Sequence, residues 1–143
     1  MVYGEGDHPD ILLWDFAWRR IEQGYDVIGV IQRRDEAEAS RLGPARFVLL
    51  REDQEEGEGS LTARGKIDCA GQFEHVAGTL TSELRRRPDV LIFNRYGSME
   101  AAGGGLIPVL AGAIELDIPV LIGVPQALFG RWLALASGLT VNF

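Results

Sequence analysis

The chain has one cysteine, few basic residues and no long uninterrupted apolar run. Because Cys69 has no second cysteine to pair with, an intramolecular disulfide is excluded, which fits a reducing cytoplasm. The 14 lysines and arginines are outnumbered by 21 acidic residues, and the formal net charge is -7. Nucleic acid and anionic membrane surfaces repel such a chain, so neither is a predicted partner.

The sequence also lacks a segment that would carry it into or across a membrane. Charged residues follow Met1 within a few positions, where a signal peptide would have an apolar run. The most apolar stretch, residues 106–124, is interrupted by two prolines and two acidic residues. We therefore predict a cytoplasmic protein with no membrane partner. A first short strand is predicted in the apolar start before Gly4, so close to Met1 that a start codon further upstream stays an open alternative.

What the chain does have is enough apolar residues for one full core. Its 143 residues and 46% hydrophobic content predict a single α/β domain over residues 1–143. Short β-branched runs alternate with segments of helical periodicity, which is typical of parallel βαβ units with right-handed crossovers. The predicted fold is a three-layer α/β sandwich with a mostly parallel sheet and an antiparallel hairpin inserted after the second strand.

The predicted elements follow from periodicity and from glycine and proline stops. Apolar positions at helical spacing predict helices at 11–22, from 68 to the three arginines at 85–87, at 106–116 and at 128–137. Apolar runs predict buried strands at 27–32, 90–94 and 118–124, and a segment at 139–143 completes the pattern. The acidic connection 54–59 joins 45–53 to 60–67 as the hairpin. The charged segment 33–43 reads as a short helix or a loop.

Three segments are predicted to follow the carboxyl ends of the strands, where open parallel sheets bind ligands. They are residues 4–10, 94–105 and 123–126. The first, GEGDHPD, invites comparison with the signature G-x-x-x-x-G-K-[ST], whose backbone amides cradle phosphate while lysine neutralises it and the hydroxyl holds magnesium. Here the corresponding positions hold Pro-Asp-Ile at 9–11, so lysine and hydroxyl are absent and the added carboxylates oppose a triphosphate.

Two interpretations of this first loop stay open. In one, Gly4 and Gly6 shape a strand-to-helix turn, and Asp7 or Asp10 caps the helix that follows. In the other, Asp7, His8 and Asp10 form a cluster for a hard metal ion or for general-base chemistry.

The second segment begins where a buried strand ends in Asn94 instead of a carboxylate. An amide accepts hydrogen bonds but cannot act as a base, and the nearest carboxylate is Glu100. One interpretation is a polar turn with Glu100 near the next helix start. The other is an oxyanion or partner site built from Asn94, Arg95 and Ser98, to which the glycines at 103–105 add free amides, unless they only form a flexible loop.

The remaining candidate residues give weaker evidence for a binding or catalytic site. Gln126 and Arg131 lie where they would reach the same rim, although Arg131 is equally consistent with a solvated helix position. His75 falls in the middle of a predicted helix, where a lone histidine is usually structural. Cys69 has no cysteine or histidine at ligand spacing, so no zinc site is predicted, and no resident metal is assigned.

The chain resembles a known family in the order of several motifs. They are YGEGD at the first turn, VIGVIQR at the second strand, a cysteine before the central helix, VLIFNRYGSMEAAGGGL, and IPVLIGVP near the end. Nearly the whole chain resembles a bacterial domain-of-unknown-function family encoded near molybdenum-uptake genes and often labelled as an NTPase, with NRYGSMEA as the most specific piece. The resemblance implies a P-loop-NTPase-like fold and a link to molybdenum.

More distantly, the order is similar to the THEP-type nucleoside-triphosphatases. In that family the second-strand turn reads as an acidic pair followed by an Ile-Gly-Lys-Met-Glu-like stretch. Gly97, Met99 and Glu100 keep this pattern, whereas Asn94 replaces the first acidic position, Ser98 replaces the lysine, and the phosphate-loop lysine has no counterpart. The resemblance therefore supports the fold and not the activity.

Three functions follow as hypotheses. The leading one is a non-hydrolytic accessory or ligand-binding protein with a degenerate P-loop-NTPase-like fold, which takes a small anion or nucleotide and is linked to molybdate or molybdenum-cofactor handling. The alternative is a weak Mg-dependent nucleoside-triphosphatase, in which Glu100 orients water and Asp7 or Asp10 holds magnesium. The third is an interaction protein that meets a protein partner or its own copy through Trp14, Trp18 or Trp132. The predicted ligand-binding residues are Gly4, Gly6, Asp7, Asn94, Arg95, Gly97, Ser98, Gly103 and Gly104.

Overall fold

The computed structural model describes residues 1–33, 46–50 and 69–137. Strands and helices alternate along the described ranges. The strands are β1 (Val2–Tyr3), β2 (Val27–Arg33), β3 (Arg46–Leu50), β4 (Val90–Phe93), β5 (Val120–Ile122) and β6 (Val124–Pro125). The helices are α1 (Pro9–Glu22), α2 (Cys69–Leu84), α3 (Ser98–Ala101), α4 (Ile107–Glu115) and α5 (Phe129–Ala136), and a 3-10 turn (Gln126–Leu128) precedes α5.

The sheet is mostly parallel. Its four-stranded part has the order β3-β2-β4-β5, in which β2, β4 and β5 run parallel and β3 runs antiparallel to β2. A parallel pair, β1 with β6, continues it, since Gly123 bonds towards β4 while Ile122 and Val124 bond to Met1 on the other side. The architecture is thus a mixed α/β fold, consistent with a P-loop-like α/β fold.

The strands are apolar on both sides because helices cover both faces. Side chains alternate along a strand, so Val27 and Ile31 of β2 face one way while Ile28 and Val30 face the other. The smaller cluster, on the α1 face, consists of Leu13, Ala17, Val27, Ile31 and Ile92. The larger cluster lies under α2 and α4, and its members include Ile28, Val30, Leu80, Leu84, Leu91, Phe93, Val109, Leu110 and Ala113. Each fully buried aliphatic side chain contributes roughly 1.5–3 kcal/mol to folding.

A glycine in the middle of β2 permits the close pairing of β2 with β4. Gly29 lies opposite Ile92 in the register, and a Cβ atom at Gly29 would overlap the backbone of Ile92. The glycine in VIGVIQ therefore has a packing reason, since no side chain fits between these two backbones.

Most of the predicted elements are confirmed within one or two residues. The helix predicted at 11–22 begins earlier, at Pro9, and the strand predicted at 118–124 is divided at Gly123 into β5 and β6. The turn predicted at 94–105 contains the short helix α3, which the sequence reading missed. Residues 46–50, within the predicted first strand of the hairpin, form β3, which pairs antiparallel with β2, and the hairpin itself stays a prediction. The predicted strand at 60–67, its connection at 54–59 and the segments at 34–43 and 139–143 lie outside the described residues.

No helix in the described ranges combines the length and the apolar character that a membrane span requires.

Candidate functional site

The three predicted ligand segments lie at the carboxyl edge of the sheet. The first follows β1, the second follows β4, and the third joins β5 to the 3-10 turn between them. Gly123 of the third segment accepts a hydrogen bond from the Tyr96 amide at 2.7 Å. On its other side, a Cβ atom at Gly4 would lie 3.8 Å from the Gln126 side-chain oxygen. The third segment therefore separates the first loop from the second.

The first loop is closed by its own carboxylate. The Gly4 amide donates to Asp7 Oδ2 at 2.7 Å, and the Asp7 amide donates back to the Gly4 carbonyl at 3.3 Å. Gly6, with φ of 89°, supplies the left-handed residue that this tight turn needs. An amide that would face a phosphate in a phosphate-binding loop is thus engaged by Asp7.

The same geometry corrects the predicted cap of the first helix. His8 occupies the N-cap position and makes no side-chain capping bond, and Pro9 begins the helix. Asp7 bonds to Gly4 instead, while Asp10 lies in the first turn, where its charge favours the helix dipole. The prediction that Asp7 or Asp10 is the cap is wrong.

The carboxylates of this loop do not converge on a metal-binding geometry. Within residues 1–33 and 69–137, no group of three or more His, Cys, Asp or Glu side chains is placed to hold a metal ion, and this includes Asp7, His8 and Asp10. The side chains of Cys69 and His75 lie outside the described part of the chain, so their predicted roles stay predictions.

The second segment begins with a turn that packs closely against β2 and Gly123. The Asn94 amide donates to the Val30 carbonyl at 3.4 Å, and the Asn94 side chain is 5% exposed. A Cβ atom at Gly123 would overlap the Asn94 carbonyl, so glycine there permits the close approach. Asn94 is thus a buried residue at the strand end, whereas the next residue, Arg95, is exposed.

Glu100 is a buried carboxylate, 7% exposed, that ties this turn to helix α4. Its Oε2 accepts the Gly97 amide at 2.9 Å, and its Oε1 accepts the Leu106 amide at 3.1 Å. Gly105, with φ of 59°, lies against this carboxylate, and a Cβ atom there would overlap Oε1. Both oxygens of the nearest carboxylate to β4 therefore hold the loop together.

Two of the three glycines at 103–105, which the sequence offered as anion donors, are also engaged. The Gly103 amide donates to the Glu100 carbonyl and the Gly104 amide to the Met99 carbonyl, each at 2.9 Å. These bonds close the carboxyl end of α3, in the way that glycines commonly end helices. Four of the predicted amide donors, those of Gly4, Gly97, Gly103 and Gly104, thus bond within the chain.

Two exposed side chains of the second segment can donate hydrogen bonds to a ligand. Arg95 and Ser98 are exposed, and Arg95 makes no ion pair within the part of the chain that the structure describes. Arg95 also borders a small crevice, whose polar lining is Arg95 and Glu100. The apolar lining of this crevice is Phe93, Leu106, Ile107, Leu110 and Ile122. An exposed arginine at the edge of such a crevice can bind an anion through its guanidinium.

Sequence reasoning missed Tyr96, which is 1% exposed. Its ring meets the Trp132 ring edge to face, with centroids 5.4 Å apart and planes at 74°. Burial and then the charge of Glu100 raise the pKa of Tyr96, while the charge of Arg131 lowers it. The aromatic residue in NRYGS, two positions after a buried strand, was the available signal for a side chain that anchors the turn on α5.

Comparison with known proteins gives one family and one relative. Residues 1–143 match the model of a family described as a protein of unknown function (DUF2478). The chain is 32% identical over 145 residues to the Molybdenum import ATP-binding protein ModC 2 of Bradyrhizobium diazoefficiens. That alignment covers 97% of the chain but 16% of the relative, so the chain spans about a sixth of its length. No solved structure matches.

Proposed function

The chain belongs to the DUF2478 family, and we propose that it is a non-hydrolytic accessory or ligand-binding protein that takes a small oxyanion, molybdate in the first place. Its binding site would lie at residues 94–105, around Arg95 and Ser98. The family match bears out the expected resemblance to a domain of unknown function. The name of the relative supports the proposed link to molybdenum. That name describes the relative itself, which is about six times as long as this chain.

The observation that carries the proposal is the double engagement of Glu100. A hydrolytic site needs a carboxylate or amide free to orient water towards the γ-phosphate, and a phosphate loop needs amides free to cradle it. Both carboxylate oxygens of Glu100 instead accept hydrogen bonds from backbone amides, and the Gly4 amide donates to Asp7. Because these carboxylates and amides form hydrogen bonds within the chain, their arrangement supports ligand binding without hydrolysis.

Anion binding in this proposal rests on side chains, because the backbone amides of Gly4, Gly97, Gly103 and Gly104 donate elsewhere. Arg95 offers up to two parallel N–H donors to an oxyanion, and the Ser98 hydroxyl offers a third donor on the same turn. In this proposal the other predicted site residues have structural roles. Asn94 anchors the strand end, and the loops are shaped by Gly4, Gly6, Asp7, Gly97, Gly103 and Gly104.

Calorimetry combined with a phosphate-release assay tests this function. We expect saturable heat with molybdate or tungstate, and no phosphate release from ATP in the presence of Mg²⁺. If no oxyanion gives heat, the ligand half of the proposal is lost. Steady phosphate release by the purified wild-type protein would overturn the non-hydrolytic half.

The alternative is a weak Mg-dependent nucleoside-triphosphatase, which the ATP-binding description of the relative favours. Glu100 would then orient water, and Asp7 or Asp10 would hold magnesium. The test is phosphate release by wild type and by Glu100→Gln, with Glu115→Gln as the matched exposed control. Release that disappears in Glu100→Gln alone supports this alternative, and release equal in all three proteins removes the role of Glu100.

The remaining expectations belong to the same proposal. We infer a single domain at residues 1–143, with a three-layer arrangement, the complete inserted hairpin, a distant THEP-type relationship and a cytoplasmic location. Contact with a protein partner or a second copy stays a further hypothesis, for which Trp18, 39% exposed, is a better candidate than the partly buried Trp14 and Trp132. Concentration-dependent sedimentation tests it.

A further inference from the structure

An apolar stripe runs along one flank of helix α1, at the border between its buried side and solvent. Its four members have the a/d spacing of helices that pack on other helices, and at 100° per residue they lie within about 80° of one another. They are Ile11, Trp14, Trp18 and Ile21, termed here the α1 stripe. Ile11 is 59% exposed and Trp18 is 39% exposed. Trp14 and Ile21 are half-buried and also pack against the core cluster on the α1 face.

On the other flank of α1, an arginine lies over the apolar surface. The central carbon of the Arg20 guanidinium is 5.0 Å from the ring centre of Phe16 and 5.7 Å from that of Tyr25. A long cationic side chain laid on two rings reduces the apolar surface that they present to water. The α1 stripe instead presents a large aliphatic side chain and a tryptophan to solvent, and exposed apolar clusters with a tryptophan are typical of protein interfaces.

The surroundings of the α1 stripe are acidic. Residues 1–22 contain five acidic side chains and two arginines. Arg19 pairs with Asp15 at 3.0 Å, and Arg20 lies over its two rings, so both arginines are engaged locally. Asp15 and Glu22 are exposed and hold the e positions beside the stripe, whose charge selects the partner in a/d packing. A second copy brings the same acidic excess, and an anionic membrane also repels it, whereas a basic helix is attracted.

We propose that the α1 stripe docks an amphipathic helix of a partner protein, whose apolar a/d face is flanked by lysine or arginine. Trp18 is the apolar anchor of this interface, because its indole gives a large contact area at a small cost in side-chain entropy. Asp15 and Glu22 meet the basic side chains at its edge. The stripe covers roughly 15 Å of helix, which matches two heptads of a partner. This interface is independent of the anion site proposed at residues 94–105.

Fluorescence anisotropy with labelled synthetic helices tests the proposal on the full chain. The probe is a peptide with leucine at its a and d positions and lysine at its e and g positions, where like charges also keep it from pairing with itself. One matched peptide carries glutamate in place of each lysine, and another has the lysine peptide's composition in scrambled order. Wild type should bind the lysine peptide saturably and the other two roughly tenfold more weakly or less, because they lack either the charge or the apolar face.

Substitutions on α1 locate the binding. Ile11→Ala and Trp18→Ala should each weaken binding of the lysine peptide roughly tenfold, since both remove exposed apolar contacts. Leu12→Ala is the matched control, because Leu12 is 58% exposed but lies about 100° around the helix from Ile11. It should bind the peptide like wild type. A denaturation curve of Ile11→Ala that matches wild type establishes that its loss of binding comes from the surface.

Several results would overturn the proposal. If wild type does not bind the lysine peptide, or binds the scrambled one equally well, α1 has no such docking surface. Equal losses in Ile11→Ala and Leu12→Ala would remove the stripe as its location, and equal binding of the lysine and glutamate peptides would remove the preference for a basic partner. Self-association in sedimentation that Trp18→Ala abolishes would make a second copy the occupant. None of these results bears on molybdate binding, so the proposed function stands or falls separately.

Discussion

Glu100 shows how one residue can carry opposite meanings in a sequence and in a structure. In the sequence it is the carboxylate nearest to the end of a buried strand, which is where a hydrolytic enzyme places an acidic side chain. In the fold it is a buried acceptor for the amides of Gly97 and Leu106, and it closes the loop between α3 and α4. Buried charged groups are retained only where such bonds compensate for lost hydration.

Glu100→Gln tests this structural role. An amide side chain has one oxygen, so one of the two backbone amides would face an NH₂ group and lose its acceptor. We expect the free energy of unfolding to fall by about 1–3 kcal/mol, measured by chemical denaturation. Glu115→Gln, at an exposed position of α4, should leave it nearly unchanged. Equal stability of Glu100→Gln and wild type would contradict the role.

Gly105→Ala tests the same carboxylate from its other side. A methyl group at Gly105 would overlap Glu100 Oε1 and force the side chain away from the Leu106 amide. Gly103→Ala is the matched control, since Gly103 also has a positive φ, 86°, but nothing within 4 Å of the added atom. We expect Gly105→Ala to be less stable than Gly103→Ala by about 1–3 kcal/mol in denaturation experiments. Equal losses would show that only the backbone conformation matters.

Tyr96 gives a dependence of stability on pH. Burial first, and Glu100 second, raise the pKa of its phenol above the ordinary value, with a smaller opposite effect of Arg131. The folded protein therefore holds this proton more tightly than the unfolded chain, whose tyrosine ionises near pH 10. The resulting stability is fully present below about pH 10 and is lost as the pH rises through the folded-state pKa.

The variant Tyr96→Phe keeps the ring against Trp132 and removes the proton. Its free energy of unfolding should fall less between about pH 9 and about pH 11 than that of wild type, as measured by urea denaturation at each pH. The same fall in both proteins would mean that the Tyr96 phenol contributes nothing to alkaline unfolding.

Among the elements, the packing of the strands depends on how closely two backbones approach each other. The apolar pattern of the sequence does not show this distance. VIGVIQ reads as a buried strand from its β-branched residues, and the structure confirms that reading. The contact between Gly29 and the Ile92 backbone has no counterpart in the pattern, because periodicity reports which face is apolar and not how near two strands come.

Gly29→Ala and Gly78→Ala should therefore have opposite effects. The methyl group at Gly29 meets the Ile92 backbone, so β2 and β4 must separate, and we expect a loss of about 1–3 kcal/mol. Gly78 is exposed within α2 with nothing within 4 Å of an added Cβ, and alanine there should stabilise the protein by up to about 1 kcal/mol. Thermal denaturation of both variants checks the pair. A neutral Gly29→Ala would contradict the close packing of the strands.

The helices and parallel strands could be predicted because each has a long, consistent apolar pattern. Helix α3 could not, since SMEA has only four residues and is closed by Glu100 and two glycines that looked like loop formers. The division of the last strand at Gly123 also escaped prediction, because it depends on the nearness of Asn94 in another strand.

In the whole molecule, the sequence predicts which edge of the sheet carries the three candidate segments, but not which of their backbone amides are free. The order of strands places 4–10, 94–105 and 123–126 at one edge, as βαβ topology requires. Which amides stay free depends on bonds between residues such as Gly4 and Asp7, or Gly104 and Met99, that no pattern in the sequence encodes. The match to a molybdenum import protein adds the ligand class to the proposal and not the geometry.

The proposed oxyanion site lies at the turn after β4, and it is best tested by measuring the affinity of the protein for molybdate. Calorimetric titration should give saturable binding by wild type and binding weakened roughly tenfold or more in Arg95→Ala, because a charge-assisted contact is lost. Arg85→Ala, at the other end of the sheet, should bind like wild type. If wild type binds no molybdate, or if Arg95→Ala binds it as tightly as wild type does, the protein has no such site at Arg95.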